Sequence, residues 1–464
     1  MRLLIRNGRA IDPASGVDAQ RDVLIDRDRI VAIEPRIECP DAEQLEAEGL
    51  VVAPGFVDIH VHLREPGIEH AETIESGTRA AAAGGFTAVC CMPNTLPVND
   101  SAQMTSFIVE RARRTAAVHV HPIGAISKGS KGERLADIGA MHSEGVVAIS
   151  DDGIPVMNSG LMRRAMKYAA SFGITVIDHC EDLNLSAGGD IHEGIQSMRL
   201  GLGGIPGCSE DVMVARDIIL AADTRTRVHI AHISTASSIA MVRHAKSLGI
   251  PVTSEVTPHH FALTDDRIPG YDSNYKMKPP LRTQRDIAAA VEGLADGTID
   301  CIATDHAPHT GHIKMQEFER CPFGVTGLET ALGLSLEHLY HAGIVDLKHL
   351  VRLFTSAPCD CLGLERGRLR AGGPADVTLF STEREWTYDV NDTLSKSKNS
   401  PFDGHRFRGG PVATVVSGQI VWTAEGGMLP PSRNGENQPF AVRPAARVSR
   451  SGRRGPAQAQ GSAE

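Results

Sequence analysis

"PGFVDIHVHLREPG", residues 54–67, is an apolar run ending in His60-Val61-His62, with Asp58 before the pair and Arg64 after it. In an extended strand the two imidazoles point to one side, so the stretch reads as a strand whose end carries metal-ligand chemistry. The pair alone decides nothing, because 20 histidines in 464 residues produce about one such H-x-H by chance. A second copy, His119-Val120-His121, is present. The decision rests on the other imidazoles and carboxylates of the chain.

Seven more apolar runs follow this one: "FTAVCCMP", "AVHVHPIGAI", "VVAISDD", "TVIDHC", "RVHIAHIS", "PVTSEVTPHH" and "CIATDHAPH". Helix-like segments lie between them, among them "IESGTRAAAAGG", "SGLMRRAMKYAASFG", "ASSIAMVRHAKSLG" and "LRTQRDIAAAVEGLADG", and each of these ends in Gly, a helix-stop signal. Buried strands alternating with helices imply a parallel sheet, and eight strands close a TIM (β/α)8 barrel. The predicted barrel covers residues 54–365. The flanks, residues 1–53 and 366–430, read as short β strands punctuated by Gly and Asp turns. They are expected to join as one small β-sandwich domain beside the barrel.

Composition narrows the function class. Apolar residues make up 41% of the chain and aromatics only 4%, so the core is mainly aliphatic. No apolar run reaches the roughly 18 residues of a membrane span, and the N-terminus lacks a signal-peptide pattern, so a cytoplasmic location is expected. Nine scattered cysteines with no C-x-x-C pair read as reduced core residues. The formal charge of −10 gives no sign of nucleic-acid binding. Residues 431–464 hold six Arg and two Glu, a net of +4, which leaves −14 on the body. That tail, rich in Pro, Gly, Ser and Gln, reads as a disordered basic extension.

In a TIM barrel the chemistry sits at the C-terminal ends of the strands. The first run ends in His60 and His62, the fourth in Asp151-Asp152, the fifth in Asp178-His179, the sixth in His232 and the eighth in Asp305-His306. His119 and His121 fall near the beginning of their run and His229 lies before the end of its own, so these three read as packing residues. Four imidazoles and two carboxylates at one mouth suit two divalent ions. Asp152, on a strand between the two His groups, is placed to bridge them. Such a pair lowers the pKa of a bridging water, and Asp305 can carry the proton.

With "SDDG", "HC", "AHIS", "EVTPHH", "PPLR", "ATDHAPH" and a late "SKNSPFDG", the opening stretch resembles the amidohydrolase superfamily, and most closely the bacterial class I dihydroorotases. The resemblance runs from about residue 1 to 425. It implies zinc, two ions per subunit, held by His60, His62, Asp152, His179, His232 and Asp305, with Asp305 as the catalytic proton shuttle. It implies substrate contacts from His62, Arg64, Asn94, His309 and the backbone around Phe323 and Gly324. Arg64, Asn94 and His309 suit the carboxylate of dihydroorotate. The family commonly writes "MNPPLR" where this chain has Met277-Lys278-Pro279-Pro280, so Lys278 takes the place of a substrate-contacting Asn.

The implied reaction is the reversible hydrolysis of (S)-dihydroorotate to N-carbamoyl-L-aspartate in pyrimidine synthesis. A homodimer and an aspartate transcarbamoylase partner are both compatible with the resemblance. Two competitors stay open. One is a sister cyclic-amide hydrolase, a dihydropyrimidinase or allantoinase; the other is an inactive scaffold subunit of aspartate transcarbamoylase, which would be expected to have lost metal ligands.

Overall fold

The computed structural model describes residues 2–429, and the basic tail read from the sequence lies outside them. Eight strands form the barrel: Phe56–Val61, Phe86–Cys91, His119–Gly124, Ala148–Ile149, Thr175–Asp178, Val228–Ile230, Val252–Val256 and Cys301–Ile302. They hydrogen-bond in chain order and every pairing is parallel. Each of the eight apolar runs has become one strand. The ring closes where Val61 bridges His306 in parallel and the His62 amide donates to the His306 carbonyl at 2.9 Å. Asp58 holds the same seam, accepting the Thr304 hydroxyl at 2.6 Å and the Thr304 amide at 3.2 Å.

The helices begin where the sequence offers caps. Thr73 and Ser76 form a reciprocal capping box at Ile74–Ala83, and Thr283 and Asp286 do so at Gln284–Asp296. Asn158 and Thr235 cap Ser159–Ala170 and Ala236–Ser247. Each such bond satisfies an amide that the first helical turn leaves without a partner. Gly297 ends Gln284–Asp296 with φ of 80°, a left-handed turn that a side chain would oppose.

Inside the barrel, Val57, Ile59, Ala88, Cys90, Ile123, Ile177 and Ala231 meet Cys301, Cys359 and Cys361. The last two come from the helix Ser356–Leu362, whose Cys361 carbonyl accepts from Thr175 and Arg227 at the starts of their strands. That helix therefore packs at the end of the barrel opposite the strand ends that carry His62, His179 and His232. All nine cysteines are free; seven are buried as expected of small core residues, whereas Cys39 is half-buried and Cys208 exposed.

Both ends of the chain supply the second sheet, which has nine strands. Val51–Pro54 lies parallel to Arg2–Asp12 and antiparallel to Val377–Thr387, and so joins the N-terminal strands to the C-terminal ones. Leu3, Ile5, Val23, Ile25 and Val52 share one apolar cluster with Val377, Leu379, Ala413 and Val415. The first barrel strand follows directly from this junction, which fixes where "PGFVDIHVH" enters the ring. No helix among the described residues is long and apolar enough to cross a membrane.

Candidate active site

The barrel mouth gathers residues that are far apart in the chain. The ladder between the first two strands shifts register between Asp58 and Val61, an irregularity of the kind that re-aims side chains beside active sites. His60 and His62 sit there. Asp152 is at the centre: its Oδ1 is 3.3 Å from His60 Nε2 and 3.7 Å from both His179 Nδ1 and His232 Nε2. Its Oδ2 is 3.5 Å from His62 Nε2. Asp305 Oδ1 lies 2.9 Å from His62 Nε2 and 3.6 Å from His60 Nε2. The six residues expected as ligands thus converge, and all six are buried.

His119, His121 and His229 stand apart from this cluster. His119 Nε2 meets Asp376 at 3.1 Å, on the β-sheet side. His121 belongs to the same strand, and burial, with Arg366 nearby, lowers its pKa to about 4. His229 lies inside the barrel, bonded to Thr253 and Glu255. Asp151, next to the central carboxylate, accepts the Ile126 and Ser127 amides at 2.8 and 3.1 Å and so serves the loop.

Three of the mouth residues have left-handed backbones: Arg64 at φ 60°, His232 at φ 32° and Asp305 at φ 47°. Non-glycine residues rarely adopt this region, at a cost of about 1–3 kcal/mol each, and those that do cluster at functional sites. Gly324 has φ of 131°, and a Cβ there would come within 2.7 Å of Ala307 Cβ and 3.1 Å of His309 Nε2. Glycine lets this segment close against the pocket.

The donor set fits divalent cations. His60, His62 and Asp305 present atoms within 4.8 Å of one another, and so do His60, Asp152 and His232. His60 Nε2, Asp152 Oδ1 and His232 Nδ1 are buried with no hydrogen-bond partner, which is costly for polar atoms unless something else binds them. The local field favours positive charge. Burial works against a charged His60 or His179, yet Asp152 with Glu255, or with Glu181, outweighs it and raises both pKa values, His179 to about 9. Burial likewise opposes ionisation of Asp152 and Asp305, and the surrounding imidazoles overcome it and hold both below the usual carboxylate range. Two overlapping triads of imidazole and carboxylate could hold metal.

Beside the cluster is a cavity of about 320 Å³, lined by His62, Arg64, Asn94, Asp152, Lys278, Asp305, His309, Phe323 and Gly324 among others. Every residue expected to touch substrate is on that wall. Arg64 Nε donates to the Pro308 carbonyl at 3.2 Å and Nη2 is 3.4 Å from His309 Nε2. Among the described residues no carboxylate is close enough to form an ion pair with Arg64. Burial lowers its pKa to about 10 although Asp305 and Asp152 act to raise it. His309 donates from Nε2 to the Phe323 carbonyl at 2.8 Å, and burial and Arg64 push its pKa down to about 3, so it is neutral near pH 7. Asn94 accepts at Oδ1 from His62 Nδ1 at 2.8 Å and donates to Asp152 at 3.3 Å. Lys278 reaches the same wall, 2.8 Å from Glu181 and 4.7 Å above the Phe323 ring.

Sequence reasoning missed three partners. Glu255 accepts from His60 Nδ1 at 2.5 Å, Glu181 is 3.0 Å from His179 Nε2, and Asn399 donates to the Ala307 and Gly324 carbonyls at 3.0 Å. An acidic residue inside the apolar run "PVTSEV" was the available signal for Glu255.

Several known proteins resemble this chain in sequence or in fold. The family model for dihydro-orotase-like proteins matches residues 49–238. The dihydroorotase of Solibacter usitatus is 61% identical over 425 residues, 92% of this chain and 99% of that protein. The dihydroorotase of Pelotomaculum thermopropionicum is 52% identical, covering 91% and 98%. Among solved structures, the L-hydantoinase (dihydropyrimidinase) of Arthrobacter aurescens superposes with a TM-score of 0.83 at 24% identity, over 92% of this chain and 97% of that one. The dihydropyrimidinase of Brevibacillus agri gives 0.80 at 22%, over 91% and 95%; identities this low speak to the shared fold alone. An eight-stranded barrel, a mouth where six histidine and aspartate side chains converge and likenesses over nine-tenths of the chain lead to one assignment: the chain belongs to the dihydroorotase family.

Proposed function

We propose that the protein is a dihydroorotase: it hydrolyses (S)-dihydroorotate to N-carbamoyl-L-aspartate and, in reverse, closes the ring in pyrimidine synthesis. One observation carries the choice of substrate. Arg64 faces the cavity with no ionic partner from the chain, directly beside the cation-attracting cluster. A half-buried guanidinium whose charge burial disfavours gains from a counter-ion, and the ring carboxylate of dihydroorotate supplies it. Dihydropyrimidine and hydantoin rings carry no such group.

His60, His62, Asp152, His179, His232 and Asp305 would hold two divalent ions, zinc by the chemistry of the donors. When bound, such ions supply charge that polarises a carbonyl and lowers the pKa of water toward neutrality. Arg64 pairs with the ring carboxylate, and His309 would join it by turning its one N–H from the Phe323 carbonyl to that carboxylate; Asn94 donates an amide hydrogen, and the backbone near Phe323 and Gly324 lines the ring. Lys278 adds a second cation to the pocket lining, tethered by Glu181. Asp305 takes the proton released as water adds to the ring amide carbonyl and passes it to the departing nitrogen. Its low proton affinity suits a group that holds the proton only in transit.

All six ligand positions are filled, which favours an enzyme over an inactive scaffold. We take residues 54–365 as the catalytic unit, with residues 1–53 and 366–430 as the β unit. A cytoplasmic location agrees with nine free thiols. A homodimer and an aspartate transcarbamoylase partner are measured by sedimentation of the chain alone and mixed with that enzyme. The deciding assay compares dihydroorotate with dihydrouracil and hydantoin. Turnover of the carboxylated ring is expected to exceed the others at least tenfold in kcat/KM; equal or better turnover of an uncharged ring overturns the reading.

A further inference from the structure

We propose that Glu255 is the positioning residue that aims His60 at the metal cluster, and that His229 and Thr253 hold Glu255 for this task. The inference rests on the reading of His60 as a ligand. Glu255 does not line the substrate cavity; it belongs to the seventh barrel strand, Val252–Val256, and is 1% exposed. One carboxylate oxygen is 2.5 Å from His60 Nδ1 and the other 3.2 Å from His229 Nε2. His229 Nδ1 in turn is 2.8 Å from the Thr253 hydroxyl.

The hydrogens in this chain are fixed by what each group can do. An ionised carboxylate only accepts, so His60 donates from Nδ1 to Glu255, and the lone pair a metal would use is the one at Nε2, which faces Asp152 3.3 Å away. That nitrogen has no hydrogen-bond partner. His229 donates from Nε2 to the other oxygen, and its Nδ1 is paired with the Thr253 hydroxyl. Each oxygen of Glu255 thus receives one N–H, and the carboxylate has no freedom to turn away from His60. Without it, His60 could settle in the other tautomer, with a hydrogen where the cluster needs a lone pair. Partners of this kind fix the ring and raise the basicity of a metal-binding histidine.

The pairing Thr253–His229 is a register feature, since the two residues sit opposite each other in the parallel ladder. His60, by contrast, is on the first strand, so Glu255 spans the barrel interior to reach it. Of the other imidazoles, His62 is backed by the neutral amide of Asn94, and His179 by Glu181 at 3.0 Å, a carboxylate that shares its charge with Lys278.

The test is zinc affinity, measured by competition with a chromophoric chelator on metal-stripped protein, for the parent, Glu255→Gln and Thr253→Val. Glu255→Gln is expected to weaken zinc binding about ten- to a hundredfold. Thr253→Val, which removes only the last link, should weaken it severalfold in the same direction. Melting of the stripped proteins runs alongside. A glutamate that merely supported the fold would lower the melting temperature and leave the zinc affinity of the folded protein unchanged. Zinc binding within twofold of the parent in folded Glu255→Gln overturns the inference; if that variant does not fold, parental affinity in Thr253→Val overturns it. A parent that binds no zinc refutes the ligand reading of His60 and this inference with it, whereas tight binding by parent and variants alike refutes this inference alone.

Discussion

Replacing Arg64 with Met removes the guanidinium and keeps most of the aliphatic stem. Burial depresses the Arg64 pKa from 12.5 to about 10, which corresponds to about 3 kcal/mol against the cation. A carboxylate arriving in the cavity relieves that penalty, and a charge-assisted hydrogen bond is itself worth about 1.5–3 kcal/mol. Loss of the pair should therefore cost about 2–3 kcal/mol, roughly thirty- to a hundred-and-fiftyfold in affinity for the carboxylated ring. The assay is the Kd of an unreactive carboxylated pyrimidine, by calorimetry, with KM for dihydroorotate beside it. Zinc content should be unchanged, because Arg64 is not among the clustered ligands. Weak binding of dihydrouracil should also be unchanged. A carboxylated-ring Kd within threefold of the parent would falsify the account of substrate choice.

Asp305→Asn keeps the size of the side chain but cannot accept the proton, so turnover should fall about 10²–10⁴-fold in both directions at matched zinc content; near-parental activity would shift the shuttle role to His309. Asp151→Asn should leave turnover within severalfold of the parent and lower thermal stability instead, since Asp151 holds the Ile126 and Ser127 amides; a large loss of kcat without a change in melting would contradict this. His121 has a folded pKa of about 4 against 6.5 in the free group, so as pH falls the unfolded chain takes up the proton first and stability is lost from about pH 6.5 down to about 4. His121→Phe should therefore lose about 2 kcal/mol less than the parent between pH 7 and pH 5, read from denaturant melts at both values; equal losses would show that His121 is not the group responsible.

The barrel was legible because eight apolar runs alternate with helix-like segments, and its mouth because five of those runs end in a residue type that a core strand has no use for. His60, Asp152, His179, His232 and Asp305 all stood at such ends, while His119 and His121 stood at a beginning. What the sequence could not supply was cross-barrel geometry. Glu255 reads as an isolated acid in "PVTSEV" until the ring closes and leaves only one strand between the seventh and the first. His229 looked like simple packing for the same reason. The left-handed backbones of Arg64, His232 and Asp305 have no local signal, because the surrounding fold imposes them. The join between the two ends of the chain depends on the register of Val51–Pro54 against Val377–Thr387, which alternation alone leaves open. Lys278 was visible as a departure from the family pattern, but its tie to Glu181 was not.

The central claim is that the six-residue cluster binds two divalent ions and that dihydroorotate turnover depends on them. Its most direct test strips the purified protein with a chelator and adds zinc back in measured steps, following interconversion of dihydroorotate and N-carbamoyl-L-aspartate. The account predicts a stripped protein without turnover and an activity that climbs to a plateau at two zinc ions per chain. Parental turnover in the protein from which metal has been removed would contradict it.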